Sequence, residues 1–399
     1  MSLQDLHATL ASFIQLERYR NNGSPSGFSF KNTPAHGFRA TDHINNFELP
    51  IFDCRDFDVT CTGNSNTLPL KELPVHPDME TTFTELTGLT PLYKIKAIPT
   101  SSGRTLLSYL NNCPFYVKVA YQALLGRVTR NMTRSHVLSA IEVSLAYKEA
   151  ISSGNLPDTI HIYHEHHGLY FHDLDSLQNW GYIERSITPF MKGNYIEVPA
   201  FSLFATTSQI QVPLLKNLLD LTPQLTSLES FFSYYIQPLL DLYFSSLVKL
   251  GLQPECHAQN VVFLLNNEYI PIGVALRDME SVDKDLPLIE ALGYSSKYTI
   301  TNYKFLFRES YNYQIKHSFM YDFKLGQYLL APLIDTWARY YGNETSTLID
   351  ERIRIYAKKQ SQALPEDFFP KSCWYDYEPI IHEGQSKRNY RKNANPRFR

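Results

Sequence analysis

One stretch constrains this chain more than any other. Two apolar runs, NVVFLL (260–265) and IPIGVALRD (270–278), flank the turn-prone NNEY (266–269), a pattern that predicts a β-hairpin with apolar arms and a polar turn. The polar cluster ECHAQN (255–260) and the pair Arg277-Asp278 then meet at the open end of the ribbon. Closing a four-residue loop at 266–269 sets Leu265 against Ile270, Asn260 against Ala275 and His257 against Asp278. Gly273 marks a bulge candidate that shifts the count by one. Opposed Cα atoms of an antiparallel pair lie about 5 Å apart, so either count leaves Asn260 and Asp278 within reach of one ion.

The donor types name the ion. The Asp278 carboxylate, the Asn260 amide oxygen and Glu255 are hard oxygen ligands that suit Mg²⁺, an ion usually held by one or two carboxylates together with substrate phosphates. His257 is a poor ligand for it and fits better as a hydrogen-bond donor or an acid/base group. On spacing alone, ECHAQN reads equally well as a polar helix end capping the preceding VKLGLQP.

A second constellation lies upstream. IPTSSGRTLLSYL places Ser101, Ser102 and Thr105, with Gly103 and Arg104, ahead of an apolar run that reads as helical. A helix N-terminus offers unpaired N–H donors and partial positive charge, the usual cradle for a phosphate. Lys118 falls on the face of FYVKVAYQ opposite Phe115, Val117 and Val119, leaving its ammonium free of the core, and Arg127 and Arg130 follow in GRVTRNMTR. Singly, each is an N-cap or a surface charge. Together they suit a polyphosphate, where a cation is worth roughly 4 kcal/mol per contact at an effective dielectric near 20, before desolvation.

At 399 residues the chain exceeds the size at which a single core stops growing, so several lobes around a cleft are expected. Residues 1–90 are loop-rich, with short strands and a leading helix. Residues 91–205 mix the strands FYVKVAYQ and HIYHEHHGLYFHD with the helix SHVLSAIEVSLAYKEAI. Residues 206–399 are mainly helical apart from the hairpin, running through LESFFSYYIQPLLDLYFSSLVKLG and FKLGQYLLAPLIDTWARYYG. The fold class is α+β. HIYHEHHGLYFHD suggests zinc, but on one strand His161 and His167 share a face with Tyr163 and Glu165 while His164 and His166 point away. No compact tetrahedral set results, and Glu165 is directed at the cleft.

A net charge of −3 supplies no basic field toward nucleic acid or anionic lipid, and no apolar run is long enough to span a bilayer. Five dispersed cysteines without a CxxC pair fit a reducing compartment, and the N-terminus reads as an amphipathic helix instead of a signal peptide, so a cytoplasmic protein is expected. The basic tail SKRNYRKNANPRFR reads as a frayed, solvated terminus.

Taken in order, LPVHP (73–77), TSSGRT (100–105), Lys118 with Arg130, IYHEHHG with Glu165, YIERSITP with Arg185, and ECHAQN followed by ALRD resemble the NRPS-independent siderophore (NIS) synthetases of the IucA/IucC type. The resemblance covers roughly residues 20–290. It implies a multi-lobed cupped hand of fingers, palm and thumb. The implied activity is that of an ATP-dependent ligase that adenylates a carboxylate of citrate or a related polycarboxylic acid, releases pyrophosphate, and passes the acyl group to an amine or hydroxyl.

The resemblance also implies ATP and Mg²⁺ as cofactors. Ser101, Ser102, Arg104, Thr105, Lys118 and Arg130 would hold the nucleotide phosphates and the activated carboxylate. Glu255, Asn260 and Asp278 would hold the metal, His257 and Gln259 would line the same pocket, and Glu165, Arg185 and Arg127 would face the substrate. A homodimer is expected on the same ground. The family signature GHPxHPxxK is met here by GSPSGFSFK, in which Ser24 and Gly27 replace both histidines while Gly23, Pro25 and the nucleotide-side Lys31 remain. The alternatives are a relative that binds without turnover, and a kinase-like phosphotransferase, which would leave ADP where a ligase leaves AMP.

Overall fold

The computed structural model describes residues 6–21, 37–42, 46–65, 67–125, 128–172, 176–189, 194–206, 210–294, 297–298, 313–342, 346–375, 379–382, 385–388, 391–393 and 395–399. GSPSGFSFK with Lys31, and Arg127, lie outside the described residues.

Alternating runs build the first sheet. In chain order the strands are β1 (Phe47–Asp53), β2 (Val59–Gly63), β3 (Glu72–Pro74), β4 (Tyr93–Pro99), β5 (Thr105–Leu110) and β6 (Cys113–Val119). A small hairpin, β7 (Tyr121–Leu125) and β8 (Val128–Arg130), comes next, followed by β9 (Ile160–Ile162), β10 (Glu165–Phe171), β11 (Gly181–Arg185) and β12 (Ile196–Pro199). An eight-stranded sheet runs β2-β10-β11-β6-β5-β4-β1-β3, and every pairing in it is antiparallel. It takes strands from both sides of residue 90, so a boundary there would cut through this sheet.

The run TLLSYL is strand β5, not a helix, which corrects the expected phosphate-binding helix N-terminus. Asn111 and Asn112 have φ of 51° and 63°, the left-handed pair of a tight hairpin turn, and they return the chain directly into β6 with Leu110 opposite Cys113. TSSGR is therefore the β4–β5 connection. HIYHEHHGLYFHD is likewise two strands, with β9 in one sheet and β10 in another, so the single-strand facing expected for its histidines does not hold. Among the described residues, no three His, Cys, Asp or Glu side chains gather as metal ligands.

The remaining strands relevant to the cleft are β13 (Leu252–Gln253), β14 (Val261–Leu265) and β15 (Pro271–Leu276). A four-stranded sheet runs β12-β14-β15-β9, with β9 parallel to β15. The expected hairpin is present, but its register differs by two: Val262 faces Ala275 and Val261 faces Leu276, where Asn260 was placed against Ala275. The cause lies at the turn. The Asn266 side-chain oxygen accepts from the Glu268 and Ile270 N–H groups, each at 2.9 Å, and the pairing then skips Ile272. Gly273 beside that irregularity is required by close approach, since a Cβ there would lie 2.6 Å from the Thr159 carbonyl oxygen.

The arms are apolar throughout because both faces are covered. Val261, Phe263 and Leu265 pack into the main helical core, while Val262 and Leu264 join a smaller cluster with Phe13, Ile14, Leu107, Tyr116, Tyr163, Tyr195 and Ala275. That smaller cluster fastens the leading helix α1 (Leu10–Tyr19) across both sheets. The face of the eight-stranded sheet formed by Phe115, Val117 and Val119 belongs to a third core with Phe52, Phe83 and Trp180.

The helical half follows its sequence pattern with one refinement. Helices at 228–250 and 313–342 continue through Pro238 and Pro332, which have no N–H to donate, by widening to π turns at Phe232–Ile236 and Phe319–Leu330. The basic tail corrects another expectation. Phe398 is buried, Arg397 donates to Asp350 and Asp335 at 2.8 and 3.0 Å, and Arg399 donates to Asp322 at 2.9–3.1 Å. Carboxylates on the helices capture these guanidinium groups, Asp322 from the interior and Asp335 from the surface, so the last residues are docked, not frayed. No helix among the described residues is long and apolar enough to cross a membrane.

Candidate functional site

A cleft opens where the two sheets meet, lined by Thr100, Ser102, Thr105, Tyr116, Arg185, Gln259, Asn260, Arg277 and Asp278. Four segments supply it: the β4–β5 connection, strand β6, the end of β11, and the two polar ends of the β14–β15 ribbon. Ser102, Thr105, Arg185, Gln259, Asn260 and Asp278 were all expected from sequence to face ligand, and the fold brings them into one wall.

Each is held by local bonding. Thr100 Oγ1 donates to the Thr105 carbonyl at 2.6 Å and accepts the Ser102 N–H at 3.3 Å, so the connection is folded over its own hydroxyl. Asn260 Nδ2 donates to the Glu255 carbonyl and to Ser281 Oγ, each at 3.2 Å. Both amide hydrogens are thus spent, and Oδ1 is the atom left to accept or ligate. Asp278 adopts a left-handed backbone at φ 70°, a conformation few non-glycine residues tolerate, before the 3₁₀ turn Met279–Ser281.

Lys118 lies on the face opposite Phe115, Val117 and Val119, as expected, but its ammonium is not free. It is buried and paired with both Asp278 and Glu280, the latter at 2.6 Å. Burial alone would raise the Asp278 carboxyl; the Lys118 ammonium, and Arg185 beyond it, outweigh burial and hold it at about 2. Glu280 also accepts from Arg104 Nη2 at 3.2 Å, while Arg104 Nη1 reaches the Arg130 and Asn131 carbonyls at 3.5 Å. Arg104 therefore braces the wall from behind. Burial, and then the charge of Arg104, lower the Arg130 guanidinium, while Glu280, Glu255 and Asp278 oppose them, which places its charge at the same cluster.

Ser101 is fully buried. Its Oγ donates to Glu17 at 2.7 Å and accepts from Gln259 Nε2 at 3.5 Å. Glu255 pairs with Lys324, and His257 Nε2 lies 3.8 Å from it. His257 Nδ1 accepts the Gln259 N–H at 3.2 Å, which leaves the ring proton on Nε2. Burial, opposed by Glu255, lowers the ring to about 4, so His257 is neutral at physiological pH and sits beside the cleft wall. Glu165 is fully buried next to Arg185 at 3.3 Å, and neither of its oxygens makes a hydrogen bond.

The sequence assigned no role to four residues of the site. Arg277 lines the cleft, donates to Glu17 at 2.7 Å and to the Gln259 carbonyl at 2.6 Å; its place beside Asp278 at a strand end was the available signal. Tyr116, two residues before Lys118, shares its face of β6. Glu280, two residues after Asp278, carried only proximity as a clue. Glu17 is separated from its partners by 84 and 260 residues, and no local pattern announces it.

The fold is shared with solved siderophore enzymes. The petrobactin biosynthesis protein AsbB from Bacillus anthracis str. Sterne superposes with a TM-score of 0.73 at 16% identity, covering 97% of this chain and 75% of that one. The chain has the fold of the siderophore synthetases. ATP-bound aerobactin synthetase IucA from Klebsiella pneumoniae gives 0.58 at 14% identity, over 79% of this chain and 62% of that chain. Aerobactin synthetase IucC from the same source gives 0.55 at 14%, over 86% and 68%. The synthetase fold here thus spans three quarters of AsbB and less than two thirds of IucA. The ferric iron reductase FhuF-like transporter family matches residues 229–368, within the helical half. No curated protein matches the chain by sequence.

Proposed function

We propose that the chain is an ATP-dependent synthetase of the siderophore type, which adenylates one carboxylate of a polycarboxylic acid and transfers the acyl group to an amine or alcohol with release of pyrophosphate and AMP. The supporting observation is the cleft itself: hydroxyls of the β4–β5 connection, the Asn260–Asp278 pair and Arg185 converge in one wall of a fold shared with synthetases, one of them solved with ATP bound.

The residues fit Mg²⁺. An ionised Asp278 and the uncommitted Asn260 Oδ1 are hard oxygens, few enough to leave the remaining positions to water and phosphate. Bound there, the ion would neutralise phosphate charge and polarise the phosphoryl oxygens. The chain's own part is positioning and electrostatics. Ser102 and Thr105 offer donors to phosphate oxygens, Lys118 and Arg130 supply positive charge on the same side, and Arg185 faces the acid. Glu255 and His257, tied to Lys324 and Gln259, support the ribbon end that carries Asn260.

The test is product identity. Incubation with ATP, Mg²⁺ and a panel of polycarboxylates, with hydroxylamine as the trapping amine, yields AMP and a hydroxamate only when an acid is present. Formation of ADP instead would mark a phosphotransferase, and nucleotide binding with neither product would mark a binding protein.

A further inference from the structure

Tyr116 has a role in none of the steps above, yet it forms part of the cleft wall. Its hydroxyl is buried and has no hydrogen-bond partner, and burial holds the phenol protonated far above neutral pH, with Glu17 and Glu197 reinforcing this against Arg277 and Arg185. It is therefore a hydrogen-bond donor with nothing to donate to. Its direct register partner on β11 is Arg185, whose Nε is also buried and unbonded, and whose guanidinium carbon stands 5.9 Å from the Tyr116 ring centroid. Glu165, paired in register with Arg185 on β10, balances that charge at 3.3 Å without an aligned hydrogen bond. Folded proteins seldom leave a buried hydroxyl without a partner, and here one adjoins, across one strand pair, a guanidinium whose Nε is held only by an ion pair, at the edge of the cleft.

The position of this pair along the strands matters. Thr105 and Lys118 oppose each other one pleat repeat further along β5 and β6, on the same face, about 7 Å from Tyr116. Groups suited to phosphate thus form one row, and Tyr116 with Arg185 forms the next.

We infer that Tyr116 and Arg185 form the seat for an acceptor oxygen of the acid substrate, one row away from the nucleotide phosphates, and that the Tyr116 hydroxyl determines affinity for that acid. This rests on the ligase reading. The seat takes a carboxyl or hydroxyl oxygen of a small polycarboxylic acid, with the phenol and guanidinium both donating to it.

Tyr116→Phe tests the inference, because it removes one oxygen that makes no bond within the chain. The protein is titrated calorimetrically with a non-hydrolysable ATP analogue and Mg²⁺, then with citrate or with propane-1,2,3-tricarboxylate, which lacks the hydroxyl. In the variant, acid affinity falls ten-fold or more, as expected for a lost hydrogen bond to a charged or strongly polar group, while nucleotide affinity stays within two-fold and the melting temperature is unchanged or higher. A loss for both acids assigns the seat to a carboxyl oxygen; a loss for citrate alone assigns it to the hydroxyl. Acid affinity within two-fold of wild type, an equal loss of nucleotide affinity, or a lowered melting temperature that marks a hydroxyl satisfied by internal water would each overturn the inference. A wild-type protein that binds nucleotide but neither acid overturns it while leaving the nucleotide site standing. One that binds no nucleotide removes the ligase reading as well.

Discussion

Glu17 shows how much of this site depends on a single buried carboxylate. It accepts from Ser101 of the β4–β5 connection and from Arg277 at the ribbon end, and replacing it strands a buried guanidinium. Glu17→Gln is expected to lower the unfolding free energy by about 3 kcal/mol, measured by urea denaturation, since breaking one partner of a buried ion pair costs about 3–5 kcal/mol and the amide oxygen retains part of the bonding. A second residue sets a pH dependence. Burial, opposed by the Tyr163 hydroxyl and by Arg277, raises the Glu197 carboxyl to about 7 in the folded chain, whereas an unfolded Glu titrates near ~4.3. Between those values the native state keeps a proton that the unfolded state has lost, so stability falls as pH rises through the window and levels off above 7. Glu197→Gln removes that fall, and its stability relative to wild type should grow from pH 4 to pH 7; a difference that does not change with pH would contradict the assignment. Among single residues, the place at the cleft was legible for those flagged by chemistry next to a motif, as for Asp278, Asn260 and Arg185. Those defined by a distant partner, such as Glu17, were not legible.

At the scale of elements, the long amphipathic helices and the apolar hairpin could be read directly, because their periodicity extends over many residues. The errors arose where a short run is compatible with either period. TLLSYL follows three hydroxyls, which suggested a capped helix, but the two asparagines after it supply a left-handed turn that only a hairpin needs. Replacing both Asn111 and Asn112 with alanine should destabilise the fold by about 1–2 kcal/mol, the cost of holding Cβ-bearing residues left-handed without a local hydrogen-bonding side chain, as measured by chemical denaturation. The ribbon register was misplaced by two for a related reason: Asn266 closes the turn with its side chain, and the skipped Ile272 cannot be counted from sequence. The tail was misjudged because charge alone suggests solvation, whereas Arg399 has a nearly buried partner in Asp322. Arg399→Ala should lower the melting temperature by several degrees in a thermal scan, and an unchanged value would show that the pair carries no stability.

For the whole molecule, the cleft exists because two sheets and one helix meet at a small apolar cluster of Phe13, Ile14, Leu107, Tyr116, Tyr163, Val262 and Leu264. The polar groups around the cleft come from points in the chain as far apart as Ser102 and Asp278, and the shared fold with AsbB extends over nearly the whole chain. On the function proposed above, this convergence serves carboxylate activation. Acid-dependent exchange of radiolabelled pyrophosphate into ATP reports that step alone, without requiring the correct amine or alcohol. Exchange should appear only when a polycarboxylate and Mg²⁺ are both present, and it should be lost in Asp278→Ala. Exchange at wild-type rate in that variant, or none with any acid while ADP accumulates, would contradict that function.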